Sequence, residues 1–338
     1  MLKILQVCNV GLIVGGTAAC AWGVTRALPD FTHEILCLGK LSLEIERVFS
    51  PIKIRAIQRP LEEEIGSSQC DLLLLHNTSK RQLPRILSIP TLNYLHSHID
   101  PAPAHHQVVC SEWLNHRYGG GKSVLWQGVP RAPRSISKGK LTTAGQRELR
   151  QQLVVGRLCT PTTKKWWPGI TAFYRMLSER QPGIQWEFVG CPTPLKSELK
   201  DACQGQVTFH EAGWEARSLF WDWDVLLYHH PHLPESFGRT VSEACRAGCI
   251  PVVDRKGGFL EQLESGPGYL CETEAEFLVA LNEIQDTGQR WKMSRACRVW
   301  GDRHFSFRQF RARLSAEFRN LVEKFSDSRE GRSPAGSV

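Results

Sequence analysis

The stretch Leu233-Pro-Glu-Ser-Phe-Gly-Arg-Thr-Val-Ser-Glu-Ala-Cys-Arg-Ala-Gly-Cys-Ile-Pro-Val-Val253 constrains this chain more than any other. An apolar run, Val225-Leu-Leu-Tyr228, precedes it, and a second, Ile250-Pro-Val-Val253, closes it. The pattern between them predicts a loop, then a helix that opens near Ser236–Gly238. That helix should stop at Gly248, since glycine readily takes the left-handed conformation that ends helices. Strand, loop, helix, strand is one unit of a parallel α/β sheet.

Two glutamates mark this unit, Glu235 in the loop and Glu243 inside the helix. The amides of Ser236, Phe237, Gly238 and Arg239 would be the unpaired donors of a helix start, which favour a diphosphate. Gly238 has no side chain to keep a ligand off that backbone. Glu243, two turns further on, can accept hydrogen bonds from a ribose diol, and Glu235 at the loop tip can face a sugar.

The stretch resembles the E-x7-E signature of retaining glycosyltransferases with the GT-B fold, the group called family 4, whose usual wording is close to E-P-F-G-x-x-x-x-E-A-x-A-x-G-x-P-V-V. The chain departs from it at Ser236 and at Cys245 and Cys249. The resemblance implies an α/β protein of the GT-B type, two Rossmann-like domains with parallel sheets facing a central cleft. It implies a domain for the acceptor over residues 1–135, a linker at 136–152 and a nucleotide-sugar domain over 153–300. A helix at 301–326 would cross back to the first domain, and a disordered tail would occupy 327–338.

Totals agree with two soluble domains: 338 residues, 41% apolar and 22% charged. No apolar run is long enough to cross a bilayer. The net charge of +8 is concentrated in the first half, which suits anionic ligands or a peripheral contact with an anionic membrane surface. No nucleic-acid-binding motif is present, so nucleic acid is not expected as a partner. The 12 cysteines contain no C-x-x-C pair. Their scatter through predicted strands and helices predicts buried free thiols in a cytoplasmic protein, at the inner membrane face if it meets a membrane. Met1-Leu-Lys3 and Ala19-Cys-Ala21 have the outline of an export signal. Asn9, Gly15 and Gly16 interrupt its apolar core, and a first strand explains the same residues.

That strand, Lys3-Ile-Leu-Gln-Val-Cys8, runs into a glycine-rich loop from Asn9 to Thr17 and then a helix. The loop is no dinucleotide fingerprint, because Ile13 stands at the middle glycine. It is no Walker loop either, because Thr17-Ala18 replaces Lys-Ser/Thr. Gly15 and Gly16 do resemble the family's Gly-Gly turn, and the resemblance gives them a place at the donor.

Asp71-Leu-Leu-Leu-Leu-His76 reads as another buried strand, with His76 at the edge where open α/β sheets bind ligands. Pro90 and His96 keep the spacing at which family members place a histidine facing the transferred sugar; His98 is a second candidate. His96, His98, His105 and His106 lack a cysteine or carboxylate at a standard zinc spacing, and no metal is expected. Ser111-Glu112 resembles the family's Ser-Glu pair ahead of a helix. Gln127-Gly-Val-Pro130 stands where Asn-Gly-Val-Asp is usual.

In the second half, Gly156-Arg157 with Lys164 and Lys165 resembles the family's Gly-Arg…Lys element, whose cations neutralise the donor diphosphate. Either lysine can fill the role. Asp222-Trp-Asp224 resembles the metal-binding triplet of a different glycosyltransferase fold, but its position predicts the start of a strand. His229, His230 and His232 precede Glu235 and can line the donor pocket. Gly257, Gly258 and Glu261 resemble the Gly-Gly-x-x-E turn that covers the sugar. Glu274–Ile284 and Phe305–Phe325 have helical spacing.

The implied activity is transfer of a hexosyl group from a nucleoside-diphosphate sugar to an unknown acceptor (saccharide, lipid-linked or small molecule), with retention and without a metal or resident cofactor. His96, Arg157, Lys165 and Glu235 would carry catalysis. Gly15, Gly16, Lys164, Ser236, Phe237, Gly238, Glu243, Gly257 and Gly258 would bind the donor. Two other readings remain open: a nucleotide-sugar-binding subunit without transfer, and a sugar-nucleotide epimerase of the same fold.

Overall fold

The computed structural model describes residues 2–133 and 151–330, with side chains to residue 326. Most of the linker expected at 136–152, and the end of the expected tail beyond residue 330, lie outside the described residues. The chain divides into two compact units, residues 1–128 with 307–338, and residues 129–306.

The first unit is built on a seven-stranded sheet in the order β3-β2-β1-β4-β5-β6-β7. Its strands are β1 (Lys3–Cys8), β2 (Thr32–Cys37), β3 (Lys53–Ala56), β4 (Leu72–His76), β5 (Thr91–Leu95), β6 (His106–Val109) and β7 (Ser123–Val124). Every pairing is parallel. β1, β4 and β5 are buried along almost their whole length, as strands of a parallel sheet covered on both faces are. The strand order reverses between β1 and β4, where Cys8 and His76 are register partners at the C-terminal edge. Ligands of open α/β sheets bind at such a switch point.

The second unit repeats the plan with six strands in the order β10-β9-β8-β11-β12-β13. They are β8 (Val154–Leu158), β9 (Gln185–Val189), β10 (Val207–His210), β11 (Val225–Tyr228), β12 (Ile250–Asp254) and β13 (Tyr269–Cys271). The pairings are again parallel. The order reverses between β8 and β11. Arg157 and Tyr228 therefore stand at the ends of the two switch-point strands, and the Glu235 loop leaves from the second. Asp224 enters β11 at the opposite edge, where its Oδ2 accepts from the Val154 amide at 3.0 Å.

The helix Phe307–Glu330 belongs to the first unit. Phe307 meets Trp22 edge to face, with ring centroids 5.9 Å apart, and fully buried Phe310 lies where a side chain on Gly128 would have to go. His106 joins this helix to the sheet through Glu317 at 2.5 Å and Lys324 at 2.9 Å. The helix extends past the expected end at residue 326. Its preceding neighbour, Thr287–Phe305, lies in the second unit and stops at Ser306. All 12 cysteines are free thiols.

Phe310→Ala should therefore weaken the first unit by about 3–5 kcal/mol, the usual cost of truncating a buried phenylalanine. A fall in the urea midpoint with an unchanged slope would show it. A change below about 1 kcal/mol would mean that the last helix contributes little to that unit.

Candidate functional site

In the second unit, the loop after β11 carries Glu235, and three groups hold it. Lys165 Nζ pairs with Glu235 Oε1, and the Tyr228 hydroxyl donates to the same oxygen at 2.6 Å. Burial and the Glu235 carboxylate push the Tyr228 phenol up, so it remains a donor. The third support is the floor of the loop. Gly257 has φ +61°, and a Cβ there would lie 2.4 Å from the Glu235 carbonyl oxygen; a Cβ on Gly258 would lie 2.6 Å from that of Ser236. The Gly258 amide donates to the Glu235 carbonyl at 2.8 Å. The pair expected to cover the sugar thus forms the surface on which the Glu235–Phe237 backbone lies.

The helix opens at Gly238, left-handed at φ 82°, and runs from Arg239 to Ala247. No side chain caps its start, and Gly248 ends it at φ 77°. Glu243 lies inside it, only 5% exposed. Its Oε1 is 3.3 Å from Arg239 and 3.9 Å from Arg217. Fully buried Gln262 braces the opening turn: its amide donates to the Phe237 carbonyl, and its oxygen accepts from Ser242 at 2.6 Å.

Arg157 is completely buried. Its guanidinium lies between the rings of Trp166 and Tyr228, 5.1 and 4.5 Å from their centroids. It donates to the carbonyls of Lys165 at 2.7 Å and His229 at 3.1 Å. A group so enclosed fixes the lysine turn, Thr163–Lys165, to the end of β11. Lys165 is half-buried beside Glu235, whereas Lys164 is exposed and accepts a hydrogen bond through its carbonyl from His230 Nε2 at 3.0 Å. Asp254, ending β12, binds His229 Nδ1 and the His230 amide, both at 2.6 Å. His229 and His230 therefore anchor the loop. Glu261 lies in the short helix Gly258–Leu263.

In the first unit, Gly15 caps the helix Gly16–Ala27 with extended backbone, and Gly16 opens it, exposed. His96 sits in a buried polar chain. His76 Nε2 meets Gln6 Oε1 at 2.8 Å, His76 Nδ1 meets His96 Nε2 at 3.1 Å, and His96 Nδ1 meets Gln127 Nε2 at 3.0 Å. One assignment satisfies every contact: both histidines are neutral and carry their proton on Nε2. Burial drives His76 down to about 3, which keeps it neutral. Both His96 ring nitrogens are thus engaged inside the unit. Gln127, where the family has Asn, is one of its partners.

The four histidines weighed for zinc have separate tasks. His98 packs at a tilt against Tyr118 with centroids 4.7 Å apart, His105 accepts from the Thr91 amide at 3.2 Å, and His106 binds Glu317 and Lys324. Among the described residues, the metal-ligand atoms that do converge are those of Cys20, His76 and His96, all within 4.8 Å of one another. Their type would suit zinc, although the two facing imidazole nitrogens already share a hydrogen bond.

Sequence reasoning did not find several of the partners that these residues have. Tyr228, Gln262, Arg217 and Arg239 carried no spacing signal. Gln127 was visible only as a departure from a pattern.

Protonation of His76 links this chain to stability. An unfolded histidine titrates near 6.5 and the folded one near 3, so the contribution is complete above pH 6.5 and is lost as pH falls toward 3. Between pH 6.5 and 5 the loss should be about 2 kcal/mol, read by urea unfolding, and His76→Asn should lose less over the same interval. Equal pH dependence in the two proteins would remove this account. Gly258→Ala should displace the Glu235 loop at a cost of about 1–3 kcal/mol; an unchanged melting temperature would show that the floor is not tight.

No family model matches the chain, and no curated protein matches it. Solved structures do. HepE of Anabaena, in complex with UDP and glucose, is 17% identical, with a TM-score of 0.73 over 95% of this chain and 100% of that one. A glycosyltransferase from Rickettsia africae is 14% identical, with a TM-score of 0.71 over 95% and 99%. AviGT4, a glycosyltransferase involved in avilamycin A biosynthesis, is 17% identical, with a TM-score of 0.65 over 96% and 98%. The two parallel-sheet α/β units are those of the GT-B fold.

Proposed function

We propose that the chain is a retaining, metal-independent glycosyltransferase of the family 4 type, moving a hexosyl group from a nucleoside-diphosphate sugar to an acceptor. The observation that carries this reading is the Glu235 loop: a carboxylate at the sheet edge, held by Lys165 and Tyr228, followed at once by a helix start with no side-chain cap. Structural neighbours that bind UDP and UDP-glucose support the donor class.

In this reading Lys165 and the amides around Gly238 stabilise charge growing on the departing diphosphate. Lys164 adds a second cation at the rim. Gly15 and Gly16 belong to the donor-binding set that the resemblance implies. Arg157 acts through the Lys165 carbonyl as a positioning residue. Glu243, fixed by Arg239 and Arg217, presents its remaining oxygen to a ribose diol, and Glu235 orients the sugar. The diphosphate itself takes the acceptor's proton on the face it leaves. His96 contributes shape and a neutral surface. The acceptor is a saccharide, a lipid-linked sugar or a small molecule. Free thiols suit a cytoplasmic site of action, with a peripheral contact at the inner membrane face.

One observation favours the reading without transfer. Burial of Arg157 takes from the diphosphate a cation that the resemblance assigns to it. Turnover of a nucleotide sugar separates that binding module from the enzyme.

The direct test is thermal unfolding with UDP, GDP, ADP and NAD. Near a hundred times Kd, a bound nucleotide adds about 2.7 kcal/mol, a rise of several degrees. Glu243→Gln and Lys165→Ala should each reduce that rise. Glutamine is the better replacement, since it keeps the size of the side chain and an acceptor oxygen toward Arg239 and Arg217. A rise with NAD alone, or with none of the four, would end the donor reading.

A further inference from the structure

The helix Thr287–Phe305 carries an unusual outer face. Inward it is anchored by Arg290, Cys297, Gly301 and Phe305, all buried. Asp302, its single acidic residue, is engaged by Arg131 and Arg246. Outward, Lys292, Arg295, Val299 and Arg303 follow one another at steps of three, four and four, one face of a helix. Trp291 is 37% and Val299 63% exposed. These side chains border a shallow groove of ≈ 440 Å³. The Arg295 guanidinium lies 5.6 Å from the Trp291 ring centroid. Among the described residues, no carboxylate lies within 4.0 Å of Lys292, Arg295 or Arg303.

We propose that this face docks on an anionic lipid surface. Unpaired cations attract lipid phosphates, each contributing a roughly five-fold gain in binding. A soluble polyanion would use those cations alone and gain nothing from Val299. A bilayer interface also takes the apolar side chains: an indole is stable at headgroup level, and Val299 between the cations gains by leaving water. The helix is fixed by its inner face, so it lies in the interface and does not insert. Contact is therefore weak, reversible and sensitive to salt.

This places the membrane contact proposed above on the second unit, although the excess of positive charge in the sequence favours the first. It does not depend on the donor chemistry, because vesicle binding and nucleotide binding are measured separately.

The test is co-sedimentation of the full chain with vesicles of phosphatidylglycerol and phosphatidylcholine, against phosphatidylcholine alone. Binding should need the anionic lipid and fall away at roughly 0.5 M salt. Lys292→Glu, Arg295→Glu and Arg303→Glu together should abolish it, with the UDP response unchanged. Trp291→Ser should weaken it several-fold, and Lys80→Glu with Arg81→Glu, exposed on the first unit, should leave it intact. Absence of binding would overturn the proposal, as would binding that survives the triple change. Equal retention on heparin with and without Trp291→Ser, at an affinity matching that for vesicles, would also overturn it and mark a polyanion site.

Discussion

Glu235 is held by an ammonium and a phenol, and the surrounding residues keep those two donors in place. A half-buried carboxylate needs a counter-charge and hydrogen bonds to offset its lost hydration. Lys165 supplies the first and Tyr228 the second. Neither would be well placed without Arg157, whose two donated bonds join the lysine turn to the end of β11. Enclosing a guanidinium is costly, and the aromatic faces of Trp166 and Tyr228 with two carbonyls offset that cost. The chain therefore uses a fully buried cation to position a more accessible one.

The first unit solves a different problem at its own switch point. There the polar groups are neutral, and order comes from directionality. In the run from Gln6 through His76 and His96 to Gln127, each histidine has one donor and one acceptor matched to its neighbours, Gln6 accepts at one end and Gln127 donates at the other. A second proton on either histidine would turn an acceptor into a donor and break the sequence of bonds. Such a network specifies a single arrangement of the edge where β1, β4 and β5 end. It also fixes what His96 can do. Both of its ring nitrogens are committed to neighbours within the unit.

Much of this was legible in the sequence, and the limits have physical causes. Val225–Tyr228 and Ile250–Val253 are apolar on both faces, so their strands could be read directly. Gly248 marked the helix end because a left-handed residue was needed there, and Gly238 the beginning. Gly257 and Gly258 could be located but not explained, because their reason is an approach by the backbone of residues 235–237, distant along the chain. Arg157 illustrates the same limit. Spacing can nominate an arginine near a diphosphate, but it cannot say whether the guanidinium faces solvent or two carbonyls. Gln127 read as a weakened match because its partner, His96, comes from another strand. The outer face of Thr287–Phe305 was missed because net charge by sequence half does not distinguish paired from unpaired cations.

The charge balance of the second unit bears on what it can hold. Glu235 is matched by Lys165, Glu243 by Arg239 and Arg217, and Asp254 has Lys256 at 3.9 Å. Arg157 and Lys164 have no carboxylate partner among the described residues. These groups thus carry surplus positive charge beside a helix start with no side-chain cap. Surplus cations in a partly desolvated setting repel one another, and an arriving dianion relieves that repulsion. Under the proposed reading, a nucleoside diphosphate would draw Lys165 part of the way from Glu235 and leave that carboxylate with a free acceptor oxygen. Sugar hydroxyls are suitable donors to it. Donor binding and orientation of the sugar would then be coupled through one lysine, with Tyr228 holding the carboxylate in place during the exchange.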